Sequence, residues 1–490
     1  MIAVYLTGDS MNSRQHRDRD APRAALMSAI LPGWGHAFIG QPRTAFGLYL
    51  IDLLLLASAL VVVARFKLEV ARLFFNPTAL LVLMAMNVVL LIFRAIVVAG
   101  AYSMAPSGGA RSRWWSAAFL IAALAVLVIP HAAFGYVAWH SYDVIRSVFQ
   151  PSDPQASPPT STSSTSSTTP PTTVPGATTT LPPTTTTTAP PPIWDGLERL
   201  NVLLLGADAG PGRRGTRTDT LILVSIEPST GHVVMVSVPR QLSNPPLPAG
   251  MGIWDCNCVP DLITHVYYQA EMHPEAFPGP QEPPINAIKG TFEEIFGVPI
   301  HYYAMVTLQG FVDMVDALGG VTIDVPKTIV DETYPHEDGS VEHVVIEKGR
   351  QHLNGHLALA YARIRRHSDD FARMHRQRCV IGALVDQADP FTILRNFGRI
   401  AQAIKENVST DIPQDKLDDF VDLLPKVSSN RIDSLRITRD EYSTGAAPGR
   451  VFYDIDRIRA ETHDLMNDPD AARERLGLDD LQATCDQSFD

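Results

Sequence analysis

The chain has little basic charge for its length. Its 490 residues include 40 lysine and arginine residues against 52 aspartate and glutamate residues, so the formal net charge is −12. Proteins that are dedicated to nucleic-acid binding usually carry a basic footprint. The charge balance therefore argues against a nucleic-acid partner and against a role as a transcriptional regulator.

Cysteine is scarce, and the first half of the chain has none. The four cysteines are Cys256, Cys258, Cys379 and Cys485. The sequence also shows no Ser-His-Asp or Cys-His arrangement of the kind that provides an activated nucleophile. We therefore look for chemistry that needs no covalent intermediate on a serine or cysteine.

Residues 151–193 lack the apolar side chains that a folded core requires. They consist almost entirely of threonine, serine and proline. Such a segment stays extended and solvated, and it can act as a spacer between two folded parts. O-linked glycosylation is an alternative role for a segment of this composition.

Long apolar runs are confined to the first third of the chain, at about 44–64, 79–102 and 116–138. Each is long enough to cross a hydrocarbon core of ~30 Å, which needs about 20 residues. The start of the chain is polar, and the first run begins too late for a cleaved signal peptide. The basic residues before the first run, with Arg111 and Arg113, favour a cytoplasmic N-terminus. Three spans then place the C-terminal part outside the cytoplasm.

Two charged residues lie within the predicted spans. Asp52 is in the first span and Arg94 is in the second, which runs the other way, so both are expected at a similar depth. A lone charge in a membrane is costly, so we predict that they pair. We favour an ion pair that locks the helices over a proton or ion path, because no further ionisable relay is present.

The remaining residues alternate between short apolar strands and amphipathic helices. Predicted strands at 201–206, 219–226, 232–238, 301–308, 321–325 and 432–437 are interleaved with predicted helices at 285–296, 309–318, 354–361 and 415–424. This alternation predicts an α/β domain with a mixed central sheet flanked by helices. We divide the chain into a cytoplasmic N-terminal segment (1–43), a three-span transmembrane region (44–138), an extracytoplasmic Thr/Pro/Ser-rich linker (139–193), the α/β domain (194–466) and an acidic C-terminal tail (467–490).

An oxidising compartment outside the cell favours at least one disulfide. A single residue separates Cys256 from Cys258, so we expect these two to pair with each other less readily than with Cys379 or Cys485. The connectivity stays open, because spacing alone does not fix it.

Residues 363–378 are rich in arginine, with six arginines in sixteen residues. The planar guanidinium group suits phosphate oxygens better than the lysine ammonium does. From Asp370 onward the segment is predicted to be helical, which places Asp370, Arg373 and Gln377 on one face. We predict a clamp for a polyanion, with a solvated basic face as the alternative.

A second group of polar residues follows the first two strands of the α/β domain. Asp208 comes after the first strand, and Arg217 and Asp219 begin the second. Two carboxylates and an arginine can hold Mg²⁺ together with a phosphate. Arg240 would reach the same edge of the sheet if the third strand runs parallel to the first. The alternatives are a turn role for Asp208 and an Arg217–Asp219 ion pair.

Several motifs in order resemble the LytR–CpsA–Psr family of cell-wall glycopolymer transferases. They are Leu-Leu-Leu-Gly-Ala-Asp (203–208), Arg-Thr-Asp-Thr-Leu-Ile-Leu-Val-Ser-Ile (217–226), Val-Ser-Val-Pro-Arg (236–240), the Val-Asp-Ala-Leu-Gly-Gly segment (315–320), Gly349–Arg363 and Asp370–Gln377. The resemblance covers about residues 199–390. The chain departs from many relatives at Gln241, where they have aspartate, and at Leu262-Ile263-Thr264, where they have Lys-Ile-Asn.

The resemblance implies a protein of the bacterial plasma membrane whose outer domain moves a glycopolymer from a polyprenyl-diphosphate carrier to peptidoglycan through a phosphodiester bond. It implies Mg²⁺, with Mn²⁺ as an alternative, and a long apolar pocket for the prenyl chain. The residues that it marks as metal ligands are Asp208 and Asp219. Those that it marks for the diphosphate and for arginine positioning are Arg217, Arg240, Arg363, Arg365, Arg373, Arg376, Gln377 and Asp370. Either Asp208 or Asp370 would accept the proton of the attacking hydroxyl.

Two other functions fit the same motifs. A non-catalytic protein that binds or senses the lipid-linked glycan would use the same arginines, and Gln241 is the main sequence argument for it. A diphosphatase would use water in place of the sugar hydroxyl. The presence or absence of a peptidoglycan acceptor in an assay separates these functions from transfer.

Overall fold

The structure of the protein is a computed structural model that describes residues 20–65, 73, 76–105, 113–149, 194, 196–208, 215–336, 340–365, 370–387, 396–423, 426–427 and 431–478. The predicted spacer at 151–193 and Cys485 lie outside these residues.

The helices are numbered in chain order. They are α1 (Asp20–Ile30), α2 (Trp34–Phe38), α3 (Pro42–Arg65), α4 (Pro77–Met104), α5 (Arg113–Val148), α6 (Val266–Met272), α7 (Pro283–Phe296), α8 (Leu308–Leu318), α9 (Gly355–Arg363), α10 (Asp370–Gln387), α11 (Phe397–Asn407), α12 (Leu417–Leu423), α13 (Arg439–Tyr442), α14 (Ile455–Asn467) and α15 (Pro469–Leu476).

The strands are numbered in the same way. They are β1 (Leu200–Asp208), β2 (Arg217–Ile226), β3 (Val233–Ser237), β4 (Tyr302–Thr307), β5 (Val321–Val325), β6 (Ile329–Pro335), β7 (Val341–Ile346), β8 (Gly349–Leu353), β9 (Val408–Thr410), β10 (Ile432–Arg436), β11 (Ser443–Ala447) and β12 (Arg450–Tyr453).

The chain forms two compact units, of which the first comprises residues 1–149 with 389–406. Three of its helices have stretches long and apolar enough to cross a membrane, at Pro42–Val62, Pro77–Met104 and Ala117–Val148. Each matches one of the predicted spans. Helix α5 continues to Val148 and so takes in residues that the sequence analysis assigned to the linker.

The predicted pairing of Asp52 with Arg94 is confirmed. Nη2 of Arg94 on α4 donates to Oδ1 of Asp52 on α3 at 2.9 Å. Each charge thereby finds its counter-charge within the helix pair, which removes most of the cost of placing either one alone in a lipid environment.

Helix α11 belongs mainly to this first unit although it lies late in the sequence. Nζ of its Lys405 lies 2.7 Å from Oδ2 of Asp143 on α5. A Cβ atom on Gly398 would lie 2.1 Å from the hydroxyl oxygen of Tyr136. Only glycine at this position allows α11 to come so close to the ring on α5.

The second unit, residues 150–388 with 407–490, is built on a six-stranded sheet with the strand order β10-β3-β2-β1-β4-β9. The β1–β2, β2–β3 and β4–β9 pairs are antiparallel, whereas β1–β4 and β3–β10 are parallel. The prediction of a mixed sheet flanked by helices is confirmed. Its central strands are continuous apolar runs because helices cover both faces.

Alternate residues of each strand pack on opposite faces of the sheet. On one face Leu223 and Val234 join a large core with Phe292 of α7 and Leu465 of α14. On the other face Ile222, with Val233, Met235 and Ile432, packs near Ile381 of α10. Helix α10, which carries the arginine motif, is thereby held against the sheet.

Two small hairpin-like sheets lie between α8 and α9, in a region to which the sequence analysis assigned a single strand. Strand β5 pairs with β8, and β6 pairs with β7, both antiparallel. Val325, Tyr334 and Ile346 from these strands share a core with Tyr361 of α9. Helix α9 is therefore held from one side by this pair of small sheets.

Residues 469–476 form α15 and belong to the folded domain rather than to an acidic tail. Ala472 is buried in the large core, and Arg473 forms an ion pair with the fully buried Asp433 of β10. His232 contacts the same carboxylate through Nε2 at 2.7 Å. The apolar face of α15 is short, so its sequence has little periodicity.

The structure overturns the expected disulfide pairing, because Cys256 and Cys258 are bonded to each other. The N–H of Cys258 donates to the carbonyl oxygen of Cys256 at 2.7 Å, which closes a three-residue turn. Their Cα atoms are then 5.1 Å apart, within the usual range for a disulfide. Cys379 is also disulfide-bonded.

Candidate active site

The end of β1 and the start of β2 meet at one edge of the central sheet. Asp208 ends β1 and pairs with Arg217, the first residue of β2. The register shifts between Gly206 and Ala207, and a bulge of this kind re-aims the residues beside it. A Cβ on Gly206 would lie 2.8 Å from Cβ of Thr220, so the close approach requires glycine. The bulge thus presents Asp208 beside Arg217.

Strand β3 brings another arginine to the same edge. Because β2 lies between β1 and β3 and is antiparallel to both, β3 runs parallel to β1 and ends at the same edge of the sheet. Arg240 follows β3 closely, and its Nη1 lies 3.1 Å from Oδ1 of Asp219. The prediction that Arg240 reaches the end of β1 if β3 is parallel to it is confirmed.

Asp219 makes several polar contacts at this edge. Its Oδ1 also accepts a hydrogen bond from Oγ1 of Thr264 at 3.2 Å. Burial acts to raise the pKa of Asp219, but the charges of Arg240 and Arg373 and the hydrogen bonds from Arg240 and Thr264 outweigh it. The pKa therefore lies below its ordinary value, so the carboxylate is ionised at neutral pH.

Arg373 approaches the same residue from helix α10. Its side chain is only 4% exposed, and its Nη1 donates to the backbone carbonyl oxygen of Asp219 at 3.3 Å. Gln377, one turn later on the same face, donates to the carbonyl oxygen of Ala362 at 3.3 Å. The predicted common face of these two residues is confirmed.

Arg363 ends α9, and Arg365 follows the helix; both line the same edge. Nη2 of Arg363 lies 3.8 Å from Oδ2 of Asp208. Arg376 lies behind this segment, donating through Nε to the carbonyl oxygen of Tyr361 at 2.7 Å and through Nη2 to that of Ile364. These contacts hold the backbone at Tyr361 and Ile364, on both sides of Arg363.

These groups surround one cavity of about 910 Å³ in the second unit. The predicted residues that line it are Asp208, Arg217, Asp219, Arg240, Arg363, Arg365, Arg373 and Gln377. Arg376 was predicted to bind substrate directly, but it is buried and is not among the lining residues. Asp370 begins α10, and its side chain lies outside the part of the chain that the structure describes.

Other lining residues were missed by sequence reasoning. Strand β6 contributes Asp331, Thr333 and Tyr334, and α6 contributes Tyr268. Burial raises the pKa of Tyr334, and the nearby Arg363 opposes that rise only in part. Tyr334 is therefore a neutral phenol at the cavity wall, next to a cation. No sequence signal marked β6 as part of the site, because its residues belong to none of the motifs that identified the other lining residues.

A positive cluster lies behind the cavity on α10. Arg378 is fully buried, and burial with the neighbouring Arg436 lowers its pKa to about 9. Burial, Arg378, Arg436 and Arg376 lower the pKa of His375 to about 3. His375 is therefore neutral in the folded protein at any working pH, which avoids one more positive charge in this cluster.

The stability of the protein should fall as the pH drops below the ordinary histidine pKa. In the unfolded chain the pKa of His375 returns to about 6.5, so between that value and about 3 the unfolded state binds more protons. The free energy of unfolding should then fall by up to about 1.4 kcal/mol per pH unit.

This loss of stability is measured from the melting temperatures of the full chain and of His375→Gln between about pH 7 and pH 5. The melting temperature of His375→Gln should depend less on pH than that of the unchanged protein. His273→Gln, which alters an exposed histidine, is the control and should show the same pH dependence as the unchanged protein. Equal slopes in all three proteins would contradict the assignment.

The matched region is large enough to assign a family. The sequence profile of the LytR_cpsA_psr family matches residues 182–463, more than half of the chain. The chain belongs to the LytR–CpsA–Psr family. The sheet edge described above, with its aspartates and arginines, lies within the matched region.

Two Bacillus proteins are about a third identical to this chain over the residues that align with it. A Bacillus anthracis protein is 31% identical over 285 residues, which cover 57% of this chain and 77% of the relative. A Bacillus mycoides protein is 33% identical over 225 residues, which cover 46% of this chain and 64% of the relative. Both are named polyisoprenyl-teichoic acid–peptidoglycan teichoic acid transferase TagU.

Solved structures of similar proteins include that of TagV from B. subtilis. It is 25% identical, with coverage of 55% of this chain and 98% of that one, and the TM-score is 0.41. This score is low, so the family assignment rests on the sequence match.

Proposed function

We propose that this protein transfers a glycopolymer from a polyprenyl-diphosphate carrier to peptidoglycan, forming a phosphodiester bond. The observation that carries the proposal is the cavity in which five arginines and three aspartates line one space. That charge pattern suits a diphosphate. The names of the Bacillus relatives, which specify a polyisoprenyl-linked polymer and peptidoglycan, support the same substrate classes.

Phosphoryl transfer requires positioning and charge neutralisation more than covalent chemistry by the protein. A peptidoglycan sugar hydroxyl would attack the phosphorus that carries the glycan, and the bond from that phosphorus to the oxygen bridging the two phosphates would break. Polyprenyl phosphate leaves with the bridging oxygen, and its charge is held by the arginines of the cavity. Asp208 or Asp370 would accept the hydroxyl proton. The apolar pocket for the prenyl chain stays a prediction.

The aspartates of the cavity fit a Mg²⁺ ion, with Mn²⁺ as the alternative. Mg²⁺ is commonly held by one or two carboxylates together with phosphate oxygens. Asp208 and Asp219 line the same cavity, and the lowered pKa of Asp219 keeps that carboxylate ionised and able to bind a cation. When bound there, the ion would add positive charge beside the diphosphate, while the arginines orient the phosphate groups.

We propose that the chain is anchored in the plasma membrane with the α/β domain on its outer face. The three long apolar helices and the positive charges before the first span support this orientation. A reporter enzyme that works only outside the cytoplasm, fused after residue 194, should be active. A reporter that works only in the cytoplasm, active at the same position, would reverse the orientation.

The function is tested with the full chain in detergent, a polyprenyl-diphosphate-linked glycan and Mg²⁺, with and without peptidoglycan fragments. We expect polyprenyl phosphate to be released, and the glycan to appear on the fragment, only when the acceptor is present. A chelator should stop both, and Mg²⁺ or Mn²⁺ should restore them.

The two rival functions give different results in the same assay. Release of polyprenyl phosphate at an equal rate without acceptor would indicate a diphosphatase. Tight binding of the lipid-linked glycan with no release under either condition would indicate a binding or sensor protein. In that case Gln241→Asp is the first variant to examine, because this position departs from many relatives.

A further inference from the structure

Three potential metal ligands converge in the second unit, outside the residues that line the cavity. His336 follows β6, Glu342 lies on β7 and His356 lies in the first turn of α9. Oε2 of Glu342 is 3.1 Å from Nε2 of His336 and 2.8 Å from Nε2 of His356. The three ligand atoms all lie within 4.8 Å of one another. The end of β6, strand β7 and the start of α9 thus direct their nitrogen and oxygen ligand atoms to a common point.

The imidazole rings are held in this arrangement by their surroundings. The rings of His336 and His356 are stacked, with centroids 5.5 Å apart and planes 8° apart. Tyr334 meets both rings edge to face, at centroid distances of 6.1 Å and 5.9 Å. The aromatic contacts therefore orient both imidazoles before any ligand binds, which lowers the ordering cost of binding.

The donor set identifies the class of ion. Two histidine nitrogens and one carboxylate oxygen form a ligand set that zinc enzymes use, with water in the fourth position. Mg²⁺ and Ca²⁺ prefer oxygen ligands throughout. The side chains of His336, Glu342 and His356 are 36%, 42% and 35% exposed, so water can reach the site. Both the ligands and their exposure suit a site with three protein ligands and one water.

We propose that His336, Glu342 and His356 bind one divalent transition-metal ion of the zinc class. The ion would join the β6–β7 hairpin to the start of α9. Both elements also reach the cavity, through Tyr334 on β6 and Arg363 at the end of α9. The bound ion would then fix one wall of the cavity from behind. The binding itself depends only on the three ligands and not on the proposed transferase activity.

Zinc binding by the full chain tests the proposal. The protein is prepared in detergent without a histidine tag, stripped with a chelator and titrated with Zn²⁺ in competition with a chromogenic chelator. We expect a single high-affinity equivalent that excess Mg²⁺ does not displace. Co²⁺ in place of Zn²⁺ should give the visible absorption of a four-coordinate ion. Glu342→Gln and His356→Gln should each weaken Zn²⁺ binding by about 100-fold or more, because losing even a residue that only hydrogen-bonds a metal ligand costs up to that much.

His343→Gln is the matched control. His343 is an exposed histidine on β7 next to Glu342, and alternation along the strand directs it to the other face. This variant should retain the wild-type Zn²⁺ affinity and Co²⁺ spectrum. The ligands are partly exposed, so all three variants should fold, which their melting temperatures without metal can verify. If the unchanged protein binds Zn²⁺ no more tightly than Glu342→Gln does, the proposal is overturned. The three side chains would then form a hydrogen-bonded cluster without a metal function.

Discussion

Replacing Arg240 with alanine should lower the rate of glycopolymer transfer by about 100- to 1,000-fold, the usual effect of removing one group that stabilises developing negative charge. Arg240 lines the cavity and lies 3.1 Å from Asp219. Its side chain is 22% exposed, so truncation opens space at the cavity without emptying a core. The loss should therefore appear in turnover, with little change in melting temperature. The measurement is release of polyprenyl phosphate in the presence of acceptor.

The control for this prediction is Arg350→Ala. Arg350 is an exposed arginine on β8 and does not line the cavity. Its replacement removes the same charge from the same domain and should leave turnover unchanged. If Arg240→Ala keeps full activity, or if both variants lose activity equally, then charge at the edge of the sheet is not what drives the reaction.

Asp219→Asn should cause a loss of similar size, about 100- to 1,000-fold. Asparagine keeps the shape of the side chain, but it removes the negative charge that Arg240 and Arg373 stabilise. It should also raise the Mg²⁺ concentration needed for half-maximal rate, because one of two candidate carboxylate ligands is lost. Turnover measured across a Mg²⁺ titration gives both quantities. Asp324→Asn, an exposed carboxylate on β5, is the control.

The two substitutions should not act independently. When two residues act as one unit, the first substitution already removes most of their joint contribution to the rate. The double variant Asp219→Asn with Arg240→Ala should therefore lose much less activity than the product of the two single losses. The combined variant is assayed under the same conditions as the single ones. Strictly multiplicative losses would show that the pair does not act together, and would favour separate contributions to metal and diphosphate binding.

The parts of the fold that were predictable are those set by local pattern. The central strands are continuous apolar runs ended by turn residues, so β1 to β4 were found within one or two residues. Short connections in sequence join β1 to β2 and β2 to β3, which favours a meander of antiparallel neighbours. In a meander β3 ends at the same edge as β1, and this placed Arg240 near Asp208. The arginine motif was readable because its residues lie one helical turn apart.

The remaining parts depend on contacts between distant segments. Thr264 reaches Asp219 across 45 positions of sequence, and nothing in Leu262-Ile263-Thr264 signals that contact. Tyr334 lies at the cavity because β6 pairs with β7 against α9, an arrangement fixed by packing. The Cys256–Cys258 bond is a local exception, because it required a turn that spacing alone did not reveal. Helix α15 was hidden because its contacts, among them the ion pair of Arg473 with Asp433, are with residues distant in sequence.

Helix α11 bears on how the protein can be divided for study. Its Gly398 and Lys405 pack against Tyr136 and Asp143 of α5, so the sequence leaves the second compact unit and returns to it. A soluble fragment beginning at residue 194 would retain α11 while losing these partners. Such a fragment would display a surface that is covered in the intact chain, and it would be prone to self-association. A shortened version for crystallisation should therefore carry α5 as well, or replace residues 396–406 with a short polar loop.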